Sequence, residues 1–254
     1  MASSDAQQRS NVALVTVSPN EYIYDASHPR VKAIAAALLW YSPRFSPKNV
    51  PRFYDVSSIT ERPAVFQDVI DLFVERYRKA APGAGPTHVL GFDARGFLLG
   101  PPIALALGLP FVLLRKAEKS PGVLLQSEPY HKEYAEQHGA DTMVLRMGSV
   151  PPGARCILID DLIATGGTAV SGFEVVMAAG ASVYEFAAVI GIPILNGTEK
   201  IHTCFGGKFS HVPVVTLLHD RDILDSQCGD PLNFPAGQSR VVVSGASAAA
   251  AARP

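Results

Sequence analysis

The chain has 254 residues, enough for one large domain or two small ones. Its 22 basic and 23 acidic side chains nearly cancel, which argues against a general nucleic-acid or membrane-surface binder, and 48% hydrophobic content supports a sizeable core. The three cysteines, Cys156, Cys204 and Cys228, stand far apart without CxxC spacing, so reduced thiols are expected rather than a disulfide framework or a zinc site. No apolar run reaches the ~18 residues of a membrane span. Met1 to Ser10 is polar and lacks the apolar stretch of a signal peptide, so a soluble, cytoplasmic protein is expected.

Ser27 and Pro29 predict a helix start, and Val31, Ile34, Leu38 and Tyr41 give it an apolar face. A loop rich in Pro and basic residues follows from Ser42 to Tyr54. A second helix opens at Pro63, where Val65, Val69, Phe73 and Tyr77 recur every fourth residue beside Phe66 and Ile70. After the punctuation of Pro82 to Pro86, strands alternate with helices. Strands are predicted at His88–Phe92, Phe111–Leu114, Cys156–Ile159, Val183–Ile190 and Val212–Leu218. Helices are predicted at Gly96–Leu107, closed by Gly108 and Pro110, and at Ala169–Ala179, ended by Gly180. Continuous apolar strands separated by helices predict an α/β fold, an open parallel sheet with helices on both faces. Ala117 to Thr142 is long, polar and weakly patterned, as expected of a functional or mobile loop. Ser244 to Pro254 reads as a frayed tail.

The most informative segment is Cys156-Ile-Leu-Ile-Asp160-Asp161-Leu-Ile-Ala164-Thr165-Gly166-Gly167-Thr168. An apolar strand delivers two adjacent carboxylates to its carboxyl end, the edge of a parallel sheet where ligands bind. The Gly-rich turn then leads into a helix, whose free N–H groups and dipole suit a phosphate. Acids beside an anion site are reconciled by a ligand with a phosphate at one end and vicinal hydroxyls in the middle, such as a ribose 5-phosphate. Neither a GxxxxGK[ST] P-loop nor a GxGxxG fingerprint occurs.

This run resembles the phosphoribosyl-pyrophosphate signature of the type I phosphoribosyltransferases. The resemblance implies that Asp160 and Asp161 contact ribose hydroxyls and that Ala164, Thr165, Gly166, Gly167 and Thr168 hold the 5′-phosphate. It also implies that family's fold, an open parallel sheet with a small hood and a mobile catalytic loop.

A second strand–turn–helix unit, His88-Val-Leu-Gly-Phe-Asp93-Ala94-Arg95-Gly96-Phe97, presents an arginine at a helix start, which suits pyrophosphate. Its Asp-Ala-Arg-Gly-Phe wording looks like the adenine-specific branch. The resemblance places Arg95 near base and pyrophosphate, with Asp93 and Ala94 in the pyrophosphate loop and the Asp93–Ala94 peptide cis. Arg115, Lys116 and Lys119 follow the next strand, and three cations at a strand's carboxyl end fit a polyanion. Phe45 to Ser57 is similar to the family's hood, which implies that backbone groups of Val50 and Arg52 read the edge of adenine while Phe53 stacks on its face. Here Val-Pro-Arg-Phe-Tyr-Asp stands where shorter members have Val-Phe-Arg-Asp.

In the long polar stretch, Glu133 and Tyr134 match a Leu-Glu-Tyr of shorter relatives, with Glu128 and Tyr130 a competing register. By the first match Glu133 takes a proton from the purine. The resemblance divides the chain into an N-terminal extension and helix (1–41), a hood (42–62), a core (63–235) whose flexible loop spans 117–142, and a tail (236–254). It implies adenine, phosphoribosyl pyrophosphate, AMP and pyrophosphate as ligands, Mg²⁺ carried mainly by the substrate, and a homodimer. The seven histidines show no HxxxH pair, so no metal site built from protein ligands is expected. A phosphoribosyltransferase for another base, or a non-catalytic regulator that keeps the phosphate cradle, stays open as an alternative.

Overall fold

The computed structural model describes residues 12–126 and 143–241. Among the described residues, eleven strands form one large sheet and two small ones. In chain order the strands of the large sheet are β1 (Leu14–Ser18), β2 (Glu21–Tyr24), β5 (His88–Phe92), β6 (Phe111–Leu114), β9 (Arg155–Ile163), β10 (Ser182–Gly191) and β11 (Val214–His219). Across the sheet they run β1-β2-β11-β10-β9-β5-β6. Every neighbouring pair is parallel except the β1–β2 hairpin.

Helices cover both faces, and the side-chain alternation of the strands explains how. Val89, Ile157, Val189 and Val215 point to one face and pack with α1 (Pro29–Ala37), α3 (Pro63–Arg78) and α4 (Gly96–Leu107) through Val31, Phe73, Leu99 and Ile103. Leu90, Leu158, Ala188 and Val214 point to the other and pack with α5 (Gly167–Ala178) and α6 (Gly197–Gly207) through Phe173, Val176 and Ile201. Phe73 and Phe173 are fully enclosed, and each such side chain contributes about 1.5–3 kcal/mol by leaving water. A carboxylate lies inside this packing. The Glu185 carboxylate on β10 accepts from Arg76 Nε at 2.8 and 2.9 Å and from Tyr77 Oη at 2.9 Å, tying α3 to the sheet.

The structure departs from the sequence expectation at several places. His28, not Ser27, caps α1, its Nδ1 accepting from the Arg30 N–H at 3.2 Å. The helix stops at Ala37 rather than running to Tyr41, because the Leu39 N–H donates to Ser58 Oγ at 3.0 Å and Leu39–Tyr41 becomes β3, antiparallel to β4 (Phe53–Asp55). The short helix α2 (Ser57–Thr60) follows β4. Inside the loop expected from Ala117 to Thr142, β7 (Leu124–Gln126) forms and pairs with β8 (Val144–Arg146) just beyond it. Both the N-terminal hairpin and α6 were absent from the expectation. Residues Glu128, Tyr130, Glu133 and Tyr134 lie outside the described residues.

Candidate active site

The carboxyl ends of β5, β6 and β9 meet at a cavity of about 710 Å³ under the β3–β4 hairpin. At the end of β9, Asp160 and Asp161 stand side by side, Asp161 only 4% exposed. Burial pushes both carboxyls above their usual range, and Asp160 is raised further by the adjacent charge of Asp161. The Arg95 guanidinium opposes the rise at Asp161, with Nε 3.3 Å from Oδ2. That contact is electrostatic rather than a formed hydrogen bond, since Asp161 Oδ2 has no hydrogen-bond partner.

Beyond the acids, Ala164 to Thr168 line the cavity and lead into α5. Gly166 caps the helix in the left-handed region, φ 76°, which only glycine adopts without strain. A Cβ there would also meet the Gly197 carbonyl at 2.5 Å, so the turn is pressed against the start of α6. The first turn of α5 carries no acidic residue and its cap makes no side-chain hydrogen bond. Its N–H groups and dipole are therefore available to an anion.

Opposite lies the turn between β5 and α4. The Asp93–Ala94 peptide is cis. Gly96 has no side chain where one would strike the Ile159 carbonyl, which lets α4 begin against β9 and sets Arg95 facing Asp161. Asp93 Oδ2 receives Lys119 Nζ at 3.1 Å and an Arg115 amino group at 3.4 Å. Lys116 and Lys119 line the cavity; Arg115 does not, and stands behind Asp93 with its guanidinium 5.7 Å from the Phe97 ring centroid.

The hood supplies Val50, Arg52 and Phe53 to the wall. Phe53 lies under Arg95, guanidinium to ring centroid 5.0 Å. The Arg52 side chain turns away, pairing with Asp225, reaching the Ile223 carbonyl at 3.4 Å and stacking 4.6 Å over Trp40. Its backbone is what remains toward the cavity. Sequence reasoning missed Lys48, Met143, Ile192, Leu195 and Asp220, all in the wall. Asp220 immediately follows β11, so the rule that ligands gather at strand carboxyl ends would have found it.

Residues 55–205 match the phosphoribosyl transferase domain, the class to which this fold and this cavity belong. Adenine phosphoribosyltransferase 1, chloroplastic, of Arabidopsis thaliana is 41% identical over 177 residues, 70% of this chain and 68% of its own. The solved adenine phosphoribosyltransferase of Leishmania donovani superposes with a TM-score of 0.85 at 46% identity, covering 91% of this chain and 96% of that one. That of Trypanosoma brucei, in complex with AMP, pyrophosphate and ribose-5-phosphate, gives 0.83 at 45% identity over 92% of this chain and 97% of its own. The chain belongs to the adenine phosphoribosyltransferase family.

Proposed function

We propose that the chain transfers the 5-phosphoribosyl group of phosphoribosyl pyrophosphate to N9 of adenine, giving AMP and pyrophosphate in purine salvage. The observation that carries this reading is the pair of a half-buried Asp160 and a buried Asp161 beside an acid-free helix start, in one cavity with Arg95, Lys116 and Lys119. The ribose hydroxyls donate to the acids, and the 5′-phosphate takes the N–H groups at Ala164 to Thr168. Asp93 and Ala94 shape the pyrophosphate side, while Val50, Arg52 and Phe53 hold the base.

In the transfer a bond forms from N9 to C1′ as the C1′–O bond to pyrophosphate breaks. Positive charge develops on the ribose and negative charge on the leaving group. Arg95, Lys116 and Lys119 stabilise the leaving oxygens by charge already in place. Arg115 acts by orienting Asp93. Glu133, with Tyr134 beside it, accepts the purine proton, with Glu128 and Tyr130 the competing register; such acid–base help is worth ~10²–10⁴-fold. Among the described residues no group of three His, Cys, Asp or Glu side chains gathers to hold a metal. Asp161, whose Oδ2 takes part in no hydrogen bond, and its neighbour Asp160 would nonetheless suit Mg²⁺ brought by the substrate. Such a cation supplies charge neutralisation for pyrophosphate.

The division into an N-terminal segment (1–41), hood (42–62), core (63–235) and tail (236–254) follows this reading, with β3 joining the hood by its pairing to β4. The three unpaired thiols fit the reducing cytoplasm. A homodimer is favoured by α4, which has no polar side chain yet leaves Leu98 41% and Leu105 84% exposed beside Leu113 of the edge strand β6. A helix apolar on every face belongs inside an interface.

Pyrophosphate release on mixing with phosphoribosyl pyrophosphate, Mg²⁺ and one base at a time tests the reading. Adenine is expected to give turnover, and hypoxanthine, guanine, orotate and uracil little. Turnover with another base alone would reassign the substrate. No release with any base would favour a binding protein. Glu133→Gln should lower kcat at least ~10-fold; if Glu128→Gln does so instead, the register is the other one.

A further inference from the structure

A second cavity, of about 470 Å³, lies behind the phosphate turn. Ile163 and Ile192 belong to the walls of both cavities and separate them, joined by the Ile192 N–H donating to the Ile163 carbonyl at 3.0 Å. The floor is Gly191 at the end of β10 with Thr216 and His219 of β11. Thr216 and His219 are 4% and 2% exposed, yet Thr216 Oγ1 and His219 Nδ1 have no hydrogen-bond partner. Two orphaned polar atoms in one enclosed floor are costly unless something fills the space above them. A side chain on Gly191 would crowd His219 and Thr216, at 3.0 and 3.3 Å, and its absence keeps the floor open.

The charge of the walls says what fits. Glu21 of β2 is held rigid: Ser18 Oγ donates to one oxygen at 2.7 Å and Thr198 Oγ1 to the other at 3.0 Å. Glu199 stands in the first turn of α6 and also lines the cavity, which no Lys or Arg does. Burial holds the His219 imidazole below its usual range, so at neutral pH it offers a lone pair. His202 Nε2 is committed to the Val212 carbonyl at 2.9 Å. The site thus combines fixed acceptors, negative charge and apolar walls from Val17, Pro19 and Ile192. The start of α6, with Asn196 to Thr198, also lines the cavity, but Glu199 in its first turn opposes the helix dipole there, and a cation bearing N–H donors on a short carbon chain meets Glu21, Glu199 and the floor together.

We propose that this cavity binds a small organic ammonium or guanidinium compound, between Glu21 and the Thr216–His219 floor, and that its occupancy is felt at the phosphate turn. The route is short. Gly197, at the start of α6, packs so closely on Ala164 that a Cβ would collide with its carbonyl, and Gly166 packs on Gly197 in return. A ligand that shifts the start of α6 therefore shifts the turn. The binding half of the proposal stands apart from the catalytic assignment; the coupling half rests on the turn's being the phosphate site.

Calorimetric titration of the full chain with putrescine and with agmatine, against 1,4-butanediol as a neutral control of matched length, tests binding directly. One saturable site per chain is expected for at least one amine and none for the diol. Glu21→Gln should weaken it about tenfold or more, as loss of one charge-assisted contact implies. Thr216→Val should weaken it as well while raising Tm, because it removes an orphaned hydroxyl without changing volume; a raised Tm with unchanged amine affinity would mean that the hydroxyl is only a packing defect and would overturn the floor assignment. Absence of saturable amine binding at millimolar concentrations, or binding indifferent to both variants, would overturn the site. For the coupling, ribose 5-phosphate titrated with and without saturating amine should differ severalfold in affinity. Equal affinities would overturn the coupling. Failure of ribose 5-phosphate to bind at all would instead count against the catalytic reading.

Discussion

Arg95 faces Asp161 across the cavity, Nε to Oδ2 3.3 Å, while the other side of its guanidinium covers the Phe53 ring at 5.0 Å. One side chain therefore spans the ribose acids, the hood and the start of α4. Lysine can supply the charge but neither the planar fork nor the stacking face. Arg95→Lys should lower kcat/KM by about 10–100-fold, the loss of a charged hydrogen bond of roughly 1.5–3 kcal/mol. Steady-state kinetics at saturating adenine would check it, and an unchanged kcat/KM would remove Arg95 from the reaction.

Asp160 supports a prediction of opposite sign for stability and for activity. Its carboxyl is raised well above the ordinary 3.8, first by burial and then by Asp161. A carboxyl raised in the folded state is neutral at no cost below its unfolded value. As pH climbs from there toward the folded value, the unfolded chain ionises more readily and stability falls. Asparagine carries no such penalty. Apo Asp160→Asn should therefore melt above the parent at pH 8, the gap closing as pH approaches 3.8. Phosphoribosyl transfer should fall by at least ~100-fold, consistent with loss of oriented electrostatic contact to the ribose. A variant that melts lower at pH 8 would mean that the carboxylate is stabilising where it stands.

Asp225 never enters the cavity, yet it fixes the Arg52 side chain that stacks on Trp40. Trp40 is held in turn by its Nε1 donating to the Leu224 carbonyl at 3.1 Å. Asp225→Ala frees one anchor of the hood. The pair is exposed on the Asp225 side, so stability should change little. KM for adenine should rise severalfold with kcat nearly constant. A fall in kcat at constant KM would place the residue elsewhere in the cycle.

Leu98 and Leu105 lie on one exposed stripe of α4. If that stripe meets its copy in a partner chain, Leu98→Glu with Leu105→Glu should move the sedimentation peak from dimer to monomer. A parent protein already monomeric at micromolar concentration would end the dimer reading.

Arg76 neutralises a Glu185 carboxylate that is 1% exposed. Arg76→Ala strands that charge in the core and should cost about 3–5 kcal/mol, as broken buried pairs do. Denaturant unfolding would measure it; a loss within experimental error would mean that Tyr77 alone satisfies Glu185.

Five of the parallel strands are legible because each is a short, mainly apolar run, although β6 is an edge strand that leaves Leu113 exposed and β10 carries Glu185. The hairpin was not, because β1 is an edge strand with Val15 and Val17 half exposed, and its sequence alternates too weakly to stand out. Periodicity carried α1 four residues too far: Leu38 and Tyr41 keep the helical spacing, and only a distant hydroxyl, Ser58, captures the Leu39 N–H. Helix α6 was hidden by its glycines and ends in left-handed backbone at Phe205 and Gly206. The acidic pair and phosphate turn are contiguous in sequence, so local chemistry revealed them. Asp220, Met143 and Asp225 reach the site region from separate elements, and only topology brings them there.

The interlocked glycines at 166 and 197 also bear on how this sequence can change. A methyl group at 166 would strike the Gly197 carbonyl and one at 197 the Ala164 carbonyl, so neither position tolerates one while these backbones stay put. Laboratory selections for altered sugar donors will therefore find few productive single steps here. Exchange of both segments together, as one inherited block, is the accessible route.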